Sequence, residues 1–144
     1  MKYAIAAVLF TGVLAGCAKG SQSSAAASAS AAAAGNPASA SDGGTVYIAN
    51  CSSCHQANGQ GVPGAFPPLA GNPTVTGSPV AVITIVKNGL EGRVVVNGQA
   101  YSGIMPHWKG VLPDEQIAAV ITYIRSSWKN HASGVSVAQV QAVK

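Results

Sequence analysis

The chain has 144 residues, eight Lys plus Arg against four Asp plus Glu, and only 8% charged side chains. That length allows one compact domain, and a charge content far below the usual level of about a quarter leaves solubility to Ser, Asn, Gln, Gly and backbone groups. The net charge of +4 reflects scarce acids, and because the basic residues form no run or stripe that could neutralise phosphates, a nucleic-acid partner is excluded.

Met1-Lys2-Tyr3 supplies a short positive start, and Ala4 to Leu14 carries no charge. This is the pattern of a secretory signal peptide over residues 1–16, removed on export. It is too short for a membrane span, which takes about 20 apolar residues. Leu14-Ala15-Gly16-Cys17 resembles the lipobox of bacterial lipoproteins, which implies cleavage before Cys17, diacylglycerol on its sulfur and acylation of the new amino terminus. Several acyl chains together anchor a protein stably where one does not. From Ala18 to Ser41 run 24 residues with 11 Ala and 7 Ser, Lys19 being their one charge. Such a segment buries nothing; as a flexible coil it reaches roughly 25 to 30 Å. Residues 17–41 therefore read as a lipidated cysteine with a linker, and 42–144 as the folded domain.

Cys51-Ser52-Ser53-Cys54-His55 carries the chemistry. C-x-x-C-H in an exported chain is the signature of covalent c-type haem attachment. Two thiols three positions apart on a helix end or tight turn can reach the two vinyl groups of one porphyrin, and the adjacent imidazole then points at the iron. Two rival readings exist, a redox-active dithiol and half of a zinc site. The dithiol lacks a strand-helix-strand context, and zinc would have to recruit His107 or His131 from far away. With Cys17 assigned to lipid and Cys51 and Cys54 to haem, no thiol is left over.

Further along, Ser78-Pro79 is a good helix start. Val82, Ile85 and Val86 then share one helical face before Asn88-Gly89, although the β-branched content argues for a strand. Asn97-Gly98 between Val94-Val95-Val96 and Gln99-Ala100-Tyr101 predicts a hairpin. A last helix starts near Leu112-Pro113-Asp114-Glu115, its acids suiting the helix dipole. Ile117, Val120, Ile121, Ile124 and Trp128 form its apolar stripe. Ser136 and Gln139 are spaced like a capping box for a short terminal helix.

Taken together, residues 42–130 resemble the class I monohaem cytochromes c. The resemblance rests on Gly43 and Tyr47 ahead of the haem motif, the loop Gly59 to Gly71 after it, and Gly103-Ile104-Met105-Pro106 before the last helix. It implies an all-α class I cytochrome c fold: three main helices around one covalent haem, with a small β-hairpin over the haem edge. It further implies that His55 is the proximal ligand and that a proline carbonyl of the loop, Pro67 with Pro68 close behind, accepts a hydrogen bond from it. Met105 is the implied distal ligand, with His107 its competitor two residues away and His131 left to solvent. Val120 and Tyr123 are the implied positions crossing the first helix, and the apolar stripe packs on Tyr47 and the haem. Arg93 is the best candidate partner for a haem propionate, followed by Tyr101 and Trp108.

With both axial positions filled, the resemblance implies an electron carrier and not an enzyme. The run Gly89 to Arg93, Met105-Pro106-His107-Trp108 and Tyr123 to Asn130 look like cytochrome domains attached to respiratory oxidases, copper nitrite reductases and quinoprotein alcohol dehydrogenases. The expectation is thus a monomer, lipid-anchored on the periplasmic side of a bacterial membrane, serving membrane-bound partners such as a terminal oxidase or reductase. The alternatives are a haem subunit of such a complex, a ligand sensor or haem enzyme should Met105 be labile, and an envelope dithiol protein.

Overall fold

The computed structural model describes residues 40–144. The stretch read as a signal peptide, Cys17 and all but the last two residues of the stretch read as a linker lie outside them. Along the described residues run α1 (Ala40–Asn50), α2 (Ser52–His55), α3 (Pro73–Thr76), α4 (Pro79–Asn88), β1 (Val94–Val96), β2 (Gln99–Tyr101), α5 (Asp114–Ser126) and α6 (Val137–Ala142). Three of these helices, α1, α4 and α5, have ten residues or more and form the expected frame. No helix among the described residues is long and apolar enough to cross a membrane.

Helix α1 starts at Ala40, just inside the stretch read as linker, and contains Gly43 and Gly44, poor helix formers. The reason for Gly43 is α5. A Cβ there would lie 2.0 Å from the Ala119 carbonyl oxygen and 2.8 Å from Tyr123 Cβ, so the two helices cross backbone to backbone. The expected pair at this crossing was Val120 with Tyr123, and the structure puts Ala119 beside Tyr123 instead. Val120, one position on and about 100° around the helix, belongs to the wall of the central cavity.

Ile117 and Ile121 in α5 are fully buried, and Ile124 nearly so. Trp128 does not continue their stripe. The helix stops at Ser126, and Trp128 and Lys129 take φ values of 50° and 69°. Asn130 Nδ2 donates to the Ile124 carbonyl at 2.7 Å, satisfying one of the acceptors that a helix end leaves open. The reversal folds the indole back against α1, its ring 5.0 Å from that of Tyr47 and 5.5 Å from that of Tyr123. The expected contact with Tyr47 is therefore made by a turn and not by helical periodicity.

In α4 the helical start and stop outweigh β propensity. Pro79 opens it and Gly89, at φ 78°, donates its N–H to the Ile85 carbonyl and closes it. The hairpin pairs Val94 with Tyr101 and Val96 with Gln99. Its turn residues Asn97 and Gly98 sit at φ 51° and 80°, the left-handed pair that a tight hairpin demands. Helix α6 has both halves of the capping box between Ser136 and Gln139. It is held down by the buried Val135 and Val140 and by Thr122 Oγ1, which accepts from the Val135 N–H at 3.0 Å.

Among the described residues two cationic side chains, Arg125 and Lys87, are buried. Arg125 is 3% exposed and donates to the carbonyls of Ser133, Val75 and Gly77, joining α5 to α3 and to the terminal segment. Lys87 is 5% exposed and reaches the end of α6.

Candidate functional site

The site is built outward from the end of α1. The Cys51 N–H donates to the Tyr47 carbonyl at 2.9 Å, and the His55 N–H donates to the Cys51 carbonyl at 2.9 Å, so Cys51 closes one helix and opens the single turn of the next. That turn puts Cys51, Cys54 and His55 on the wall of one cavity. Residues three apart on a helical turn share a face. Gln56 then reverses the chain at φ 61°, and Tyr47 Oη donates to its carbonyl at 2.6 Å.

His55 is buried, and its Nδ1 lies 3.0 Å from the Pro67 carbonyl oxygen. A carbonyl only accepts, so Nδ1 carries the proton and Nε2 keeps its lone pair. Burial holds the imidazole below its ordinary pKa of 6.5, with the hydrogen bond to Pro67 working the other way. The neutral ring with a free Nε2 is the form that binds a metal. Pro67, and not Pro68, faces His55; the Pro68 carbonyl accepts from Asn72 Nδ2 at 2.8 Å.

The loop that presents Pro67 is laced from within. The Gly59 carbonyl accepts from Leu69 at 2.7 Å and from Ala70 at 3.0 Å, and the Gly61 N–H donates to the His55 carbonyl at 2.9 Å. Gly61 must be glycine: its φ is 66°, and a Cβ would lie 2.3 Å from the Phe66 carbonyl oxygen and 2.6 Å from that of Pro67. Asn130 fastens this loop to the end of α5. It is 2% exposed, donates to the Leu69 and Ile124 carbonyls at 3.0 and 2.7 Å, and accepts from the Gly71 N–H at 2.9 Å. Sequence reasoning missed Asn130, since a lone asparagine after a helix has no local pattern to mark it.

Met105 is presented by a second loop. It exchanges both backbone hydrogen bonds with Leu90, at 3.0 and 2.9 Å, and the Trp108 N–H donates to the Val86 carbonyl at 3.1 Å. Gly103 rests on the first loop, its N–H donating to the Ala65 carbonyl at 2.9 Å. Met105, half-buried, lines the same cavity as Cys51, Cys54 and His55.

This cavity measures about 570 Å³, in the range of ligand and cofactor sites. Val82, Ile85 and Val86 of α4, Val120 and Ile124 of α5, and the hairpin valines wall it. Val95 and Ile104 line it too while remaining 56% and 68% exposed, so they mark its mouth. The donor set suits a haem: two thiols for covalent attachment, an imidazole with a free lone pair and a thioether, in largely apolar surroundings. Tyr101 and Trp108 also face the cavity, whereas Arg93 is exposed just ahead of β1 and outside the lining; His107 and His131 are exposed and outside it as well.

The rival chemistries fit less well. A redox dithiol needs a stabilised thiolate, and Cys51 goes the other way, pushed up to about 11 by burial and then by the neighbouring charge of Cys54. Among the described residues no group of three or more His, Cys, Asp and Glu could hold a metal ion such as zinc.

Comparison with known proteins agrees with this geometry. A family model described as Cytochrome c matches residues 40–128. The chain is 44% identical over 91 residues to cytochrome c-552 of Thermus thermophilus, covering 60% of this chain and 68% of that protein. It is 39% identical over 105 residues to the cytochrome c subunit of a quinone alcohol dehydrogenase from Gluconobacter oxydans, covering 71% of this chain and 22% of the subunit. It is 32% identical over 95 residues to the Cbb3-type cytochrome c oxidase subunit CcoP of Azospirillum brasilense, covering 62% of this chain and 28% of that subunit. The match thus takes in most of a small cytochrome but only a quarter or so of each large subunit.

Proposed function

The chain belongs to the cytochrome c family, whose haem is covalently attached, and on that premise we propose that it is a membrane-tethered periplasmic one-electron carrier. Its haem is bound through Cys51 and Cys54 and ligated by His55 and Met105. The observation that carries the reading is the convergence of these four side chains on one apolar cavity with an exposed mouth.

When bound, the haem supplies one-electron exchange between ferric and ferrous iron through its exposed edge. The chain's own residues set the terms of that exchange. His55, oriented by Pro67 and kept neutral by burial, would hold the iron through Nε2. Met105 would hold it through its thioether, a ligand that favours ferrous iron and raises the potential. The aliphatic walls disfavour the extra positive charge of the ferric state and act in the same direction. With two protein ligands no coordination position is left for a substrate, so Val95 and Ile104 at the mouth form the surface through which a partner receives the electron. Arg93, beside the hairpin, is the proposed partner of a propionate, with Tyr101 and Trp108 as further donors.

The partner is proposed to be a membrane-bound terminal oxidase or reductase, reached by a lipid on Cys17 and the linker that follows. A second reading, a haem subunit resident in such a complex, is favoured by the relatives that are themselves subunits of a dehydrogenase and an oxidase. Co-purification in mild detergent separates the two.

The ligand set is tested by absorption spectra of the haem-loaded domain in ferric, ferrous and carbon monoxide-treated ferrous form. Expected are low-spin bands unmoved by carbon monoxide, with a weak long-wavelength ferric band of sulfur-ligated iron that vanishes in Met105→Ala. A spectrum shifted by carbon monoxide overturns the closed site and makes ligand sensing or catalysis the reading to pursue.

A further inference from the structure

Lys87 serves two sides of the molecule at once. It stands in the last turn of α4, and its buried Nζ donates to the Val140 carbonyl at 2.8 Å and to that of Val143. A buried charge persists only when hydrogen-bonded; the Val140 carbonyl shares Nζ with the long closing bond of α6, from the Val143 N–H at 3.3 Å, and the Val143 carbonyl lies just past the helix. Its neighbour Asn88 donates through Nδ2 to the Lys144 carbonyl at 3.3 Å. The end of α4 thus grips the end of the chain.

The main chain of Lys87 faces the opposite task. Its carbonyl, left open at the end of α4, accepts from the N–H groups of Lys109 at 3.0 Å and Trp108 at 3.2 Å. Leu90, three residues later, exchanges both bonds with Met105. The Met105 loop is therefore pinned to the end of α4 and the turn just beyond it at two places, at the methionine itself and again at Trp108 and Lys109. Gly89 sits between the pins, where a Cβ would lie 2.6 Å from the Met105 carbonyl oxygen and 3.0 Å from the His107 nitrogen.

We propose that Lys87 is a positioning residue for the axial methionine and that α6 is the clasp that holds Lys87 in place. By gripping the Lys87 side chain, α6 fixes the carbonyl end of α4 from which the Met105 loop hangs. The proposal rests on the Met105 ligation argued above. The α1–α5 crossing does not pass through Lys87, so release of α6 frees the sixth ligand while the main helices stay packed, as a local opening unit.

The test uses the full haem-loaded chain in urea, following the long-wavelength sulfur band of the ferric protein beside its helical ellipticity. In Lys87→Met the band is expected to disappear at a urea concentration clearly below the helical midpoint, and the ferrous form to bind carbon monoxide at least about tenfold more tightly than the unchanged protein. Lys87→Arg restores most of the lost margin. A merely structural lysine lowers both midpoints together, and that result overturns the proposal. Should Lys87→Met fail to mature, native-state hydrogen exchange on the unchanged protein decides. The amides of Met105, Trp108 and Lys109 are expected to open together with those of Val140 and Val143, and distal amides that stay closed after α6 has opened overturn the proposal. Absence of the sulfur band from the unchanged protein overturns the ligand reading itself, and this inference with it.

Discussion

The Tyr47 phenol donates to the Gln56 carbonyl at 2.6 Å, tying the last turns of α1 to the residue directly after His55. Tyr47 is fully buried, and its ring packs on Trp128 and Tyr123. Burial, and then the charges of Cys51 and Tyr123, drive its pKa upward, so the phenol remains a donor throughout the working range. Tyr47→Phe keeps the packing and removes one hydrogen bond, with an expected loss of about 1 kcal/mol. Tyr47→Ala also opens a cavity, and about 3 to 5 kcal/mol is expected. Urea unfolding of both variants checks the ratio, and equal losses would place all of the contribution in the hydroxyl.

Gly43 and Gly44 are adjacent in α1 yet should respond oppositely to alanine. A Cβ on Gly43 meets the Ala119 carbonyl at 2.0 Å, whereas on Gly44 it meets only the Tyr123 ring edge at 3.3 Å. Gly43→Ala must push α1 off α5, at an expected cost of about 3 kcal/mol or more. Gly44→Ala gains helix propensity of up to about 1 kcal/mol against a small adjustment of the ring, and its midpoint is expected to stay within error of the unchanged protein. Similar midpoints for the two variants would rule out the close crossing.

Asn130→Ala takes the side-chain partner from the Ile124 carbonyl and the Gly71 N–H and leaves the Leu69 carbonyl only the long bond from the Asn72 N–H at 3.4 Å. A loss of about 3 kcal/mol is expected, together with faster exchange of the Gly71 amide, because the loop bearing Pro67 is then fastened at one end only. Asn130→Asp is no better: it still accepts from Gly71 but has no proton for the two carbonyls. An unchanged Gly71 amide in Asn130→Ala would show that the loop is held by its internal bonds alone.

His55 sets the direction of acid sensitivity. Its folded-state pKa lies below the ordinary 6.5, with burial as the main cause. The folded protein therefore favours the neutral ring, iron on Nε2 would exclude the proton in the same direction, and this contribution is complete above pH 6.5 and lost as pH falls below it, where the unfolded chain takes up a proton that the folded chain refuses. The slope is at most about 1.4 kcal/mol per pH unit for one proton. Urea midpoints from pH 8 to 5 are expected to be flat at first and to decline on the acid side. A variant with His107 and His131 both changed to Gln isolates the His55 part, and a decline beginning on the alkaline side would reverse the assigned sign.

Encounter with a partner should depend little on salt. The described residues carry six basic side chains, but Lys87 and Arg125 are buried and spent on backbone carbonyls, leaving four against four acids. Such a surface steers weakly. Electron delivery by the tethered protein is expected to change less than about threefold over a tenfold rise in ionic strength. On the proposed lipid at Cys17, Cys17→Ala abolishes confinement to the membrane and should lower delivery to a membrane-bound acceptor by roughly a hundredfold at equal bulk concentration. A steep salt dependence in the tethered protein would sink this view.

Much of the site is legible in the chain because its signals are local. C-x-x-C-H, Asn97-Gly98, Pro79 with Gly89, and the Ser136 and Gln139 box each act through a few neighbouring torsions or one short hydrogen bond, so a handful of residues suffices to specify the turn, the hairpin, the helix and the cap. The resemblance added the order of the loops and pointed to Pro67, whose carbonyl does meet His55. Nothing in the periodicity of α5 revealed that it stops at Ser126, that Trp128 swings back by a left-handed turn, or that Ala119 and not Val120 meets Gly43.

Sequence by itself thus determined the class of chemistry and most of the elements; the address and lipid readings fall ahead of the described residues and belong to the proposal. Tertiary structure alone decided how the two loops are held: Asn130 reaches 61 residues back to Leu69, and Lys87 reaches 53 residues forward to Val140. The physical reason is that a hydrogen bond between distant segments depends on where the whole fold brings a donor and an acceptor together. A buried lysine or asparagine looks in the chain like any exposed one until its carbonyl partners are in place.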